Sequence, residues 1–254
     1  MKSRSGSIPA SAKTLTRGTG AAARLVTLLL TVGAAAWFGS GARPAVARQD
    51  AAPVPIEIGA GPVREQAFAV VGRTVYEDDT ARVFGYLTHV IGLDPALLFT
   101  DTFPATQTAR FTYAGEIPLS SRTNRGDVTL FAGQGTITIF YDEDAGAAWD
   151  DPGSFADGEP VSELSLLLRD TLQRQAPAIG AVVGDERYRQ ETAGELVIAG
   201  ETYRFGQIGI EGRLRSVGAL IASDAGPELI VGLTGSGSVS AREAIPVIPG
   251  ASDA

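Results

Sequence analysis

Apolar and polar residues alternate along most of the chain after residue 62. In segment 110–117, most odd positions hold apolar side chains and most even positions hold polar ones. This period of two is typical of a β-strand that buries one face. Turn residues follow over 120–127, and a second alternating segment covers 128–142. The two segments therefore predict an antiparallel β-hairpin.

The same alternation predicts further strands, several of which are bounded by glycine or aspartate. They cover residues 66–77, 81–93, 179–183, 196–198 and 229–233. Segment 161–175 is ambiguous, because its leucines fit both a strand and a helical stripe. We favour a strand, since the remaining sequence offers no helix with which it could form a bundle.

Two glycine-containing segments coincide with a change in the phase of the alternation. Val128 is apolar at an even position and Ile137 at an odd one, with Gly133–Gly135 between them. A similar change occurs near Gly206. Keeping both halves of a strand on one core requires an extra residue, so the pattern predicts a β-bulge at each place. Bent strands favour an all-β fold, either a single antiparallel barrel or a strongly coiled sandwich.

The N-terminus has the layout of a signal peptide. Five basic residues precede the uncharged segment 25–42, and Ala45-Val46-Ala47 supplies small residues at a cleavage site. We predict cleavage after Ala47 and a secreted or extracytoplasmic product. The alternative is an uncleaved anchor, because segment 25–42 reaches the lower end of the length that spans a bilayer.

Composition and pattern divide the chain into four predicted parts. They are a signal peptide at 1–47, a flexible proline-containing leader at 48–62, one β domain at 63–243 and a disordered tail at 244–254. With no cysteine in the chain, the domain cannot use disulfides and must be stabilised by its core.

The charge of the mature chain argues against two classes of partner. After residue 47 the sequence holds 15 arginines, no lysine and 29 acidic residues, a formal charge of −14. Nucleic-acid binding needs clustered positive charge, so we expect no nucleic-acid partner. Anionic lipids are disfavoured for the same reason, and we expect no membrane binding after signal cleavage.

Few catalytic or cofactor-binding patterns are present. The absence of cysteine excludes thiol nucleophiles and thiolate metal sites, and a single histidine excludes a multi-histidine metal site. Phosphate-binding, dinucleotide-binding and nucleophile-elbow motifs are also missing. His89 alternates in phase with Leu87 and Ile91, which favours a structural histidine over a general base. We therefore assign no catalytic residue.

An acidic segment at 142–159 is the main candidate for a metal-binding or catalytic site. Its carboxylates are hard oxygen ligands of the kind that Ca²⁺ prefers, although their spacing does not match an EF-hand. The calcium candidates are Asp142, Asp144, Asp150 and Asp151. Alternatives are an ordinary solvated loop or the acid–base pair of a glycosidase. We predict no other cofactor.

Arginines and acidic residues alternate toward the C-terminal half. A set of arginines could recognise carboxylate or sulfate groups. More simply, they form a solvated sheet face and pair with Glu186, Glu191 and Glu211. The arginines in question are Arg187, Arg189, Arg204, Arg213 and Arg215.

The sequence leaves three functions open. The first is an exported, non-enzymatic β-barrel that binds a small apolar ligand in its interior. The second is an envelope or extracellular interaction domain with a filled core, whose partner is another protein. The third is a cofactor-free enzyme, such as a cyclase or hydrolase, that relies on carboxylates and tyrosine. Two carboxyl groups with separated pKa values would favour the third.

Overall fold

A computed structural model of the chain describes residues 54–176, 179–221 and 229–242. The predicted signal peptide at 1–47 and the predicted tail at 244–254 lie outside the described residues, as does the first part of the leader. Within the described ranges, the helical elements are short 3₁₀ turns at Pro95–Leu97, Thr106–Thr108 and Pro152–Ala156. No helix in these ranges has the length and apolar character that crossing a bilayer requires.

The described chain forms eleven strands, in agreement with the strong alternation of the sequence. They are β1 (Ile56–Ile58), β2 (Gln66–Glu77), β3 (Thr80–Val90), β4 (Phe111–Arg125), β5 (Val128–Tyr141), β6 (Glu159–Ala176), β7 (Ile179–Gln190), β8 (Glu195–Ile198), β9 (Glu201–Phe205), β10 (Ile210–Ile221) and β11 (Leu229–Arg242).

Eight of these strands close into an antiparallel barrel in the order β10-β11-β2-β3-β4-β5-β6-β7. Strand β7 closes the ring by pairing with β10, with Val183 opposite Val217. The all-β barrel class predicted from the sequence is confirmed. The ambiguous segment 161–175 lies in β6 and is a strand, as preferred.

A small sheet of order β1-β9-β8 packs against the barrel core. Ile58 and Phe205 from this sheet are fully buried. The buried side chain of Gln190, at the end of β7, donates to the Phe205 carbonyl at 2.8 Å and accepts from the Gln207 amide at 3.1 Å. β1 runs parallel to β9, which differs at residues 56–58 from the flexible leader predicted for 48–62.

The predicted bulge at Gly133–Gly135 is not present in β5. The register between β5 and β6 is continuous across these glycines, and the irregularity lies in β4, between Leu119 and Ser121. The apolar pattern was misleading because Phe131, not Leu130, is buried, while Leu130 is 38% exposed. Strand β5 therefore keeps one phase along its length up to Ile139.

The predicted bulge near Gly206 is also absent, because that residue lies between two strands. Gly206 follows the end of β9 with a φ of +70°, and β10 begins at Ile210. The change of phase thus marks a passage from the small sheet to the barrel. Glycine-associated irregularities do occur elsewhere, between Glu211 and Gly212 and between Gly237 and Ser238. The expectation of a curled sheet holds, with the bulges at other positions.

Large rings and glycines complement each other inside the barrel. Gly72 and Gly85 lie directly opposite each other on β2 and β3, and the Tyr113 hydroxyl lies over both. A methyl group at Gly72 would stand only 1.9 Å from that hydroxyl oxygen. The interior therefore accommodates the Tyr113 side chain because these two positions of the facing strands have no side chains.

Candidate functional site

Two carboxyl groups lie inside the barrel, on adjacent strands. Asp170 continues the inward row of leucines on β6 and is 4% exposed, while Glu186 on β7 is 5% exposed. Asp170 pairs across the sheet with Gly184, which has no side chain to separate the two acids. A β-carbon on Gly184 would lie 2.1 Å from Glu186 Oε1 and 2.8 Å from Asp170 Oδ1. We call Asp170 and Glu186 the acid pair.

Hydroxyl groups hold the acid pair from both sides. The Tyr76 hydroxyl donates to Asp170 Oδ2, and its ring stacks on Phe131 with centroids 4.0 Å apart. The Ser216 hydroxyl on β10 donates to Glu186 Oε1 at 3.0 Å. Each carboxyl group therefore has one oxygen fixed by a neutral donor, so its orientation is set by the barrel wall.

The remaining oxygen of each carboxyl group has no neighbouring donor among the described residues. Asp170 Oδ1 and Glu186 Oε2 are buried and receive no donor from any other described group. The two carboxyl groups nevertheless act directly on each other's pKa, and two buried acids this close are chemically consistent only when one of them keeps a proton. Burying an unpaired carboxylate costs a large desolvation free energy. A proton kept by the pair neutralises one of the two acids, so this cost falls on only one of them.

Electrostatics assign that proton to Glu186. Burial, and after it the neighbouring Asp170, raise the pKa of Glu186 to about 9 against smaller opposing effects of Ser216 and of a backbone hydrogen bond. Burial also raises the pKa of Asp170, but the hydrogen bonds from Tyr76 and Glu186 act in the opposite direction. The arrangement is a carboxylic acid that donates to a carboxylate, the usual outcome when two like charges share one site.

The tyrosines of the interior act as donors. Burial raises the pKa of Tyr76, Tyr113 and Tyr188 above the ordinary phenol value. Asp170 adds to this effect for Tyr76, and Glu186 adds to it for Tyr76 and Tyr113. These hydroxyls therefore stay protonated at physiological pH. They supply hydrogen bonds but no general base.

The acid pair opens onto a cavity of about 50 Å³ in the barrel interior. Every barrel strand contributes to its lining, and most of the lining side chains are aliphatic. Leu214 on β10 and Leu233 on β11 line it and are only partly buried. The polar lining residues are Thr74, Tyr113, Asp170, Glu186, Tyr188 and Ser216. The space is roughly a third of the ~150 Å³ engineered cavity that binds benzene.

The four predicted calcium ligands lie elsewhere, on the loop that follows β5. Asp142 accepts from the Asp144 amide at 3.0 Å, and Asp151 accepts from the Gly153 amide at 3.2 Å as the cap of a 3₁₀ turn. Asp150 is exposed. Among the residues that the structure describes, no three histidine or acidic side chains are grouped as a metal would need. Calcium binding by this loop stays a prediction without structural support.

The arginine-rich face largely pairs as expected, with one correction. Arg213 donates to Asp185 at 2.5 Å, and Arg189 lies 3.8 Å from Glu211. Glu186, however, was predicted to be a surface partner and lies inside the barrel. The reason is the alternation itself, which puts Asp185 and the arginines of β7 on one face and Glu186 on the other. His89, predicted to be structural, is half-buried on β3.

Sequence reasoning missed the acid pair, although a signal was present. Asp170 follows Leu164, Leu166 and Leu168 at the same period of two, so an acid occupies an otherwise apolar face. Glu186 alternates in phase with Tyr188. A titratable residue in phase with core positions on a strand is a candidate for a buried site. Only the closed barrel shows that the two acids meet.

In comparisons with protein-family models, curated proteins and solved structures, no match was found for this chain. The function is therefore argued from the geometry of the interior.

Proposed function

We propose that the barrel interior binds a small organic molecule with an apolar body and one polar group, and that the acid pair receives the polar group. The observation that carries this proposal is the cavity itself, which joins an aliphatic wall to a buried, hydrogen-bonded pair of carboxyl groups. Binding sites combine these features, namely a mostly apolar lining and a few fixed polar groups.

The energetics of the pair support a role in binding. Burying two carboxyl groups and a charge is costly, and well-packed apolar residues of similar volume are often neutral or stabilising in their place. The pair interrupts the aliphatic row on β6 at Asp170, where a further leucine would continue the core. A ligand-binding role accounts for a feature that stability alone does not require.

The size of the cavity limits the ligand. A space of about 50 Å³ accepts a molecule of a few heavy atoms without rearrangement. A larger ligand must displace side chains, and Leu214 and Leu233 are the least buried of the lining residues. Consistent with the signal-like N-terminus, we propose that this binding module works outside the cytoplasm.

A second candidate function, a cofactor-free enzyme, is favoured by one observation. Glu186, with a pKa raised to about 9, lies beside Asp170, whose hydrogen bonds favour the ionised form. Such a pair can donate one proton and accept another within the same cavity. Turnover of a bound molecule, in place of reversible binding, would distinguish this function from the first.

The binding proposal is tested with 1-propanol as the probe. In methyl NMR spectra of the protein, titration is expected to shift the signals of Leu166, Leu214 and Leu233 in a saturable manner, with an affinity on the order of millimolar. The exposed methyl groups of Val197 should not shift in parallel.

The matched variants are Leu214→Phe and Val217→Phe, on inward and outward positions of β10. Leu214→Phe fills the cavity and should abolish the shifts, whereas Val217, which is 58% exposed, should tolerate the same change. Linear, non-saturating shifts in the wild type, or unchanged binding by a folded Leu214→Phe variant, would refute an interior site.

A further inference from the structure

We infer that the polar group taken by this site is a protonated primary amine. This inference rests on the proposed function, because it assumes that the interior takes up a small molecule. The class of ligand follows from the hydrogen bonds and the charge of the acid pair.

The acid pair and its two hydroxyl partners present acceptors to the cavity. The Tyr76 proton goes to Asp170 Oδ2, the Ser216 proton goes to Glu186 Oε1, and the proton kept by the two acids is held between them. These four side chains thereby use their own protons. Their oxygens retain lone pairs, since a carboxylate oxygen can accept about two hydrogen bonds. A ligand group that contacts the two acids must therefore donate.

The oxygens of the cluster lie close together above Gly184. A β-carbon on that residue would stand 2.1 Å from Glu186 Oε1, 2.2 Å from Ser216 Oγ and 2.8 Å from Asp170 Oδ1, so any side chain there would collide with them. Acceptor oxygens this close to one another can share the three N–H donors of a single ammonium group placed on their cavity side.

Charge favours a cation over a neutral donor. With Glu186 protonated, the pair carries one negative charge in a largely aliphatic cavity, and no arginine is among the described lining residues. An ammonium group neutralises that charge where water is scarce, so the attraction is much less screened than at the surface. A carboxylate ligand would instead be repelled.

The size of the cavity agrees with a short alkylammonium. The alkyl chain would lie against the leucines and isoleucines of the lining, and a propyl group brings only three carbon atoms into the space of about 50 Å³. Propylammonium, 1-propanol and propionate are therefore suitable probes, because they differ in charge and donors but little in shape.

The test compares the affinities of these three probes at pH 7 and constant ionic strength. Propylammonium is expected to bind about tenfold or more tightly than 1-propanol, and propionate should not bind measurably. Equal or weaker binding of propylammonium would overturn the inference and leave the proposed function intact. Failure of both propylammonium and 1-propanol to bind would refute the proposed function.

Two isosteric variants show which of the two acids causes the preference for propylammonium. Asp170→Asn removes the charge and should abolish the preference for propylammonium while 1-propanol still binds. Glu186→Gln keeps the Asp170 charge and supplies an amide donor to it, so the preference should remain. Glu163→Gln, at an exposed position of β6, controls for attraction of cations by the acidic surface and should behave as the wild type. A preference that persists in Asp170→Asn would contradict the assignment.

Discussion

Replacing Glu186 by Gln is expected to remove most of the loss of stability that the wild type suffers between pH 5 and pH 9. The pKa of Glu186 is raised to about 9 by burial and by Asp170, from an ordinary value of 4.5. Between these values the folded state keeps a proton that the unfolded state releases, so the unfolding free energy falls as pH rises. The contribution is fully present below pH 4.5 and is lost as pH rises through 9, and its size is about 6 kcal/mol at most.

Urea unfolding at a series of pH values measures this effect. The wild-type curve should fall steeply across the interval, the Glu186→Gln curve should be much flatter, and Glu163→Gln, which is exposed, should follow the wild type. Parallel curves for the wild type and Glu186→Gln would mean that Glu186 does not retain its proton in the folded state.

Gly85→Ala is expected to destabilise the barrel by about 3 kcal/mol or more, at the upper end of the cost of overpacking. A β-carbon at this position would lie 2.2 Å from the Val71 carbonyl oxygen, 2.5 Å from Gly72 Cα and 2.7 Å from the Tyr113 hydroxyl. Two of these neighbours are backbone atoms of the paired strand, which cannot move without breaking the β2–β3 register.

Gly232→Ala on β11 is the matched control. The nearest atom to a β-carbon there is Ile221 Cδ1 at 2.9 Å, the end of a flexible and partly exposed side chain. Its unfolding free energy should stay within about 1 kcal/mol of the wild type. Comparable stabilities of the two variants in urea would show that the close contact between β2 and β3 does not limit packing.

Much of the fold could be predicted from the sequence because its strands alternate clearly. Strand β2 begins and ends where the pattern predicts, and β5 differs by one residue at its end. Strand lengths were less predictable elsewhere, since β7 and β11 continue beyond residues 183 and 233 into segments where polar and glycine residues weaken the pattern. Pairing in the completed barrel stabilises these extensions.

The bulges could not be located from the sequence for a specific reason. Apolar residues at Val128 and Leu130 suggested the inward face, yet the inward positions are Thr129 and Phe131. The aromatic ring of Phe131 takes the inward face, where it is buried and stacks on Tyr76. A count of apolar positions does not contain that information.

The candidate site was hidden by the long separation of its members along the chain. Tyr76, Asp170, Glu186 and Ser216 come from four different strands, and Tyr76 is 94 residues from Asp170. Each residue alone resembles an ordinary polar position. Their shared environment arises only when β6, β7 and β10 become neighbours on one side of the ring and β2 faces them from within the same barrel.

The protonation of Glu186 is the central claim, because both the stability profile and the description of the acid pair depend on it. The most direct measurement is a ¹³C NMR titration of the Glu186 side-chain carboxyl carbon, assigned by its disappearance in Glu186→Gln. The account predicts a carboxyl signal that is still protonated at pH 7 and titrates with a pKa of about 9. A signal that has completed its titration by pH 6 would contradict it.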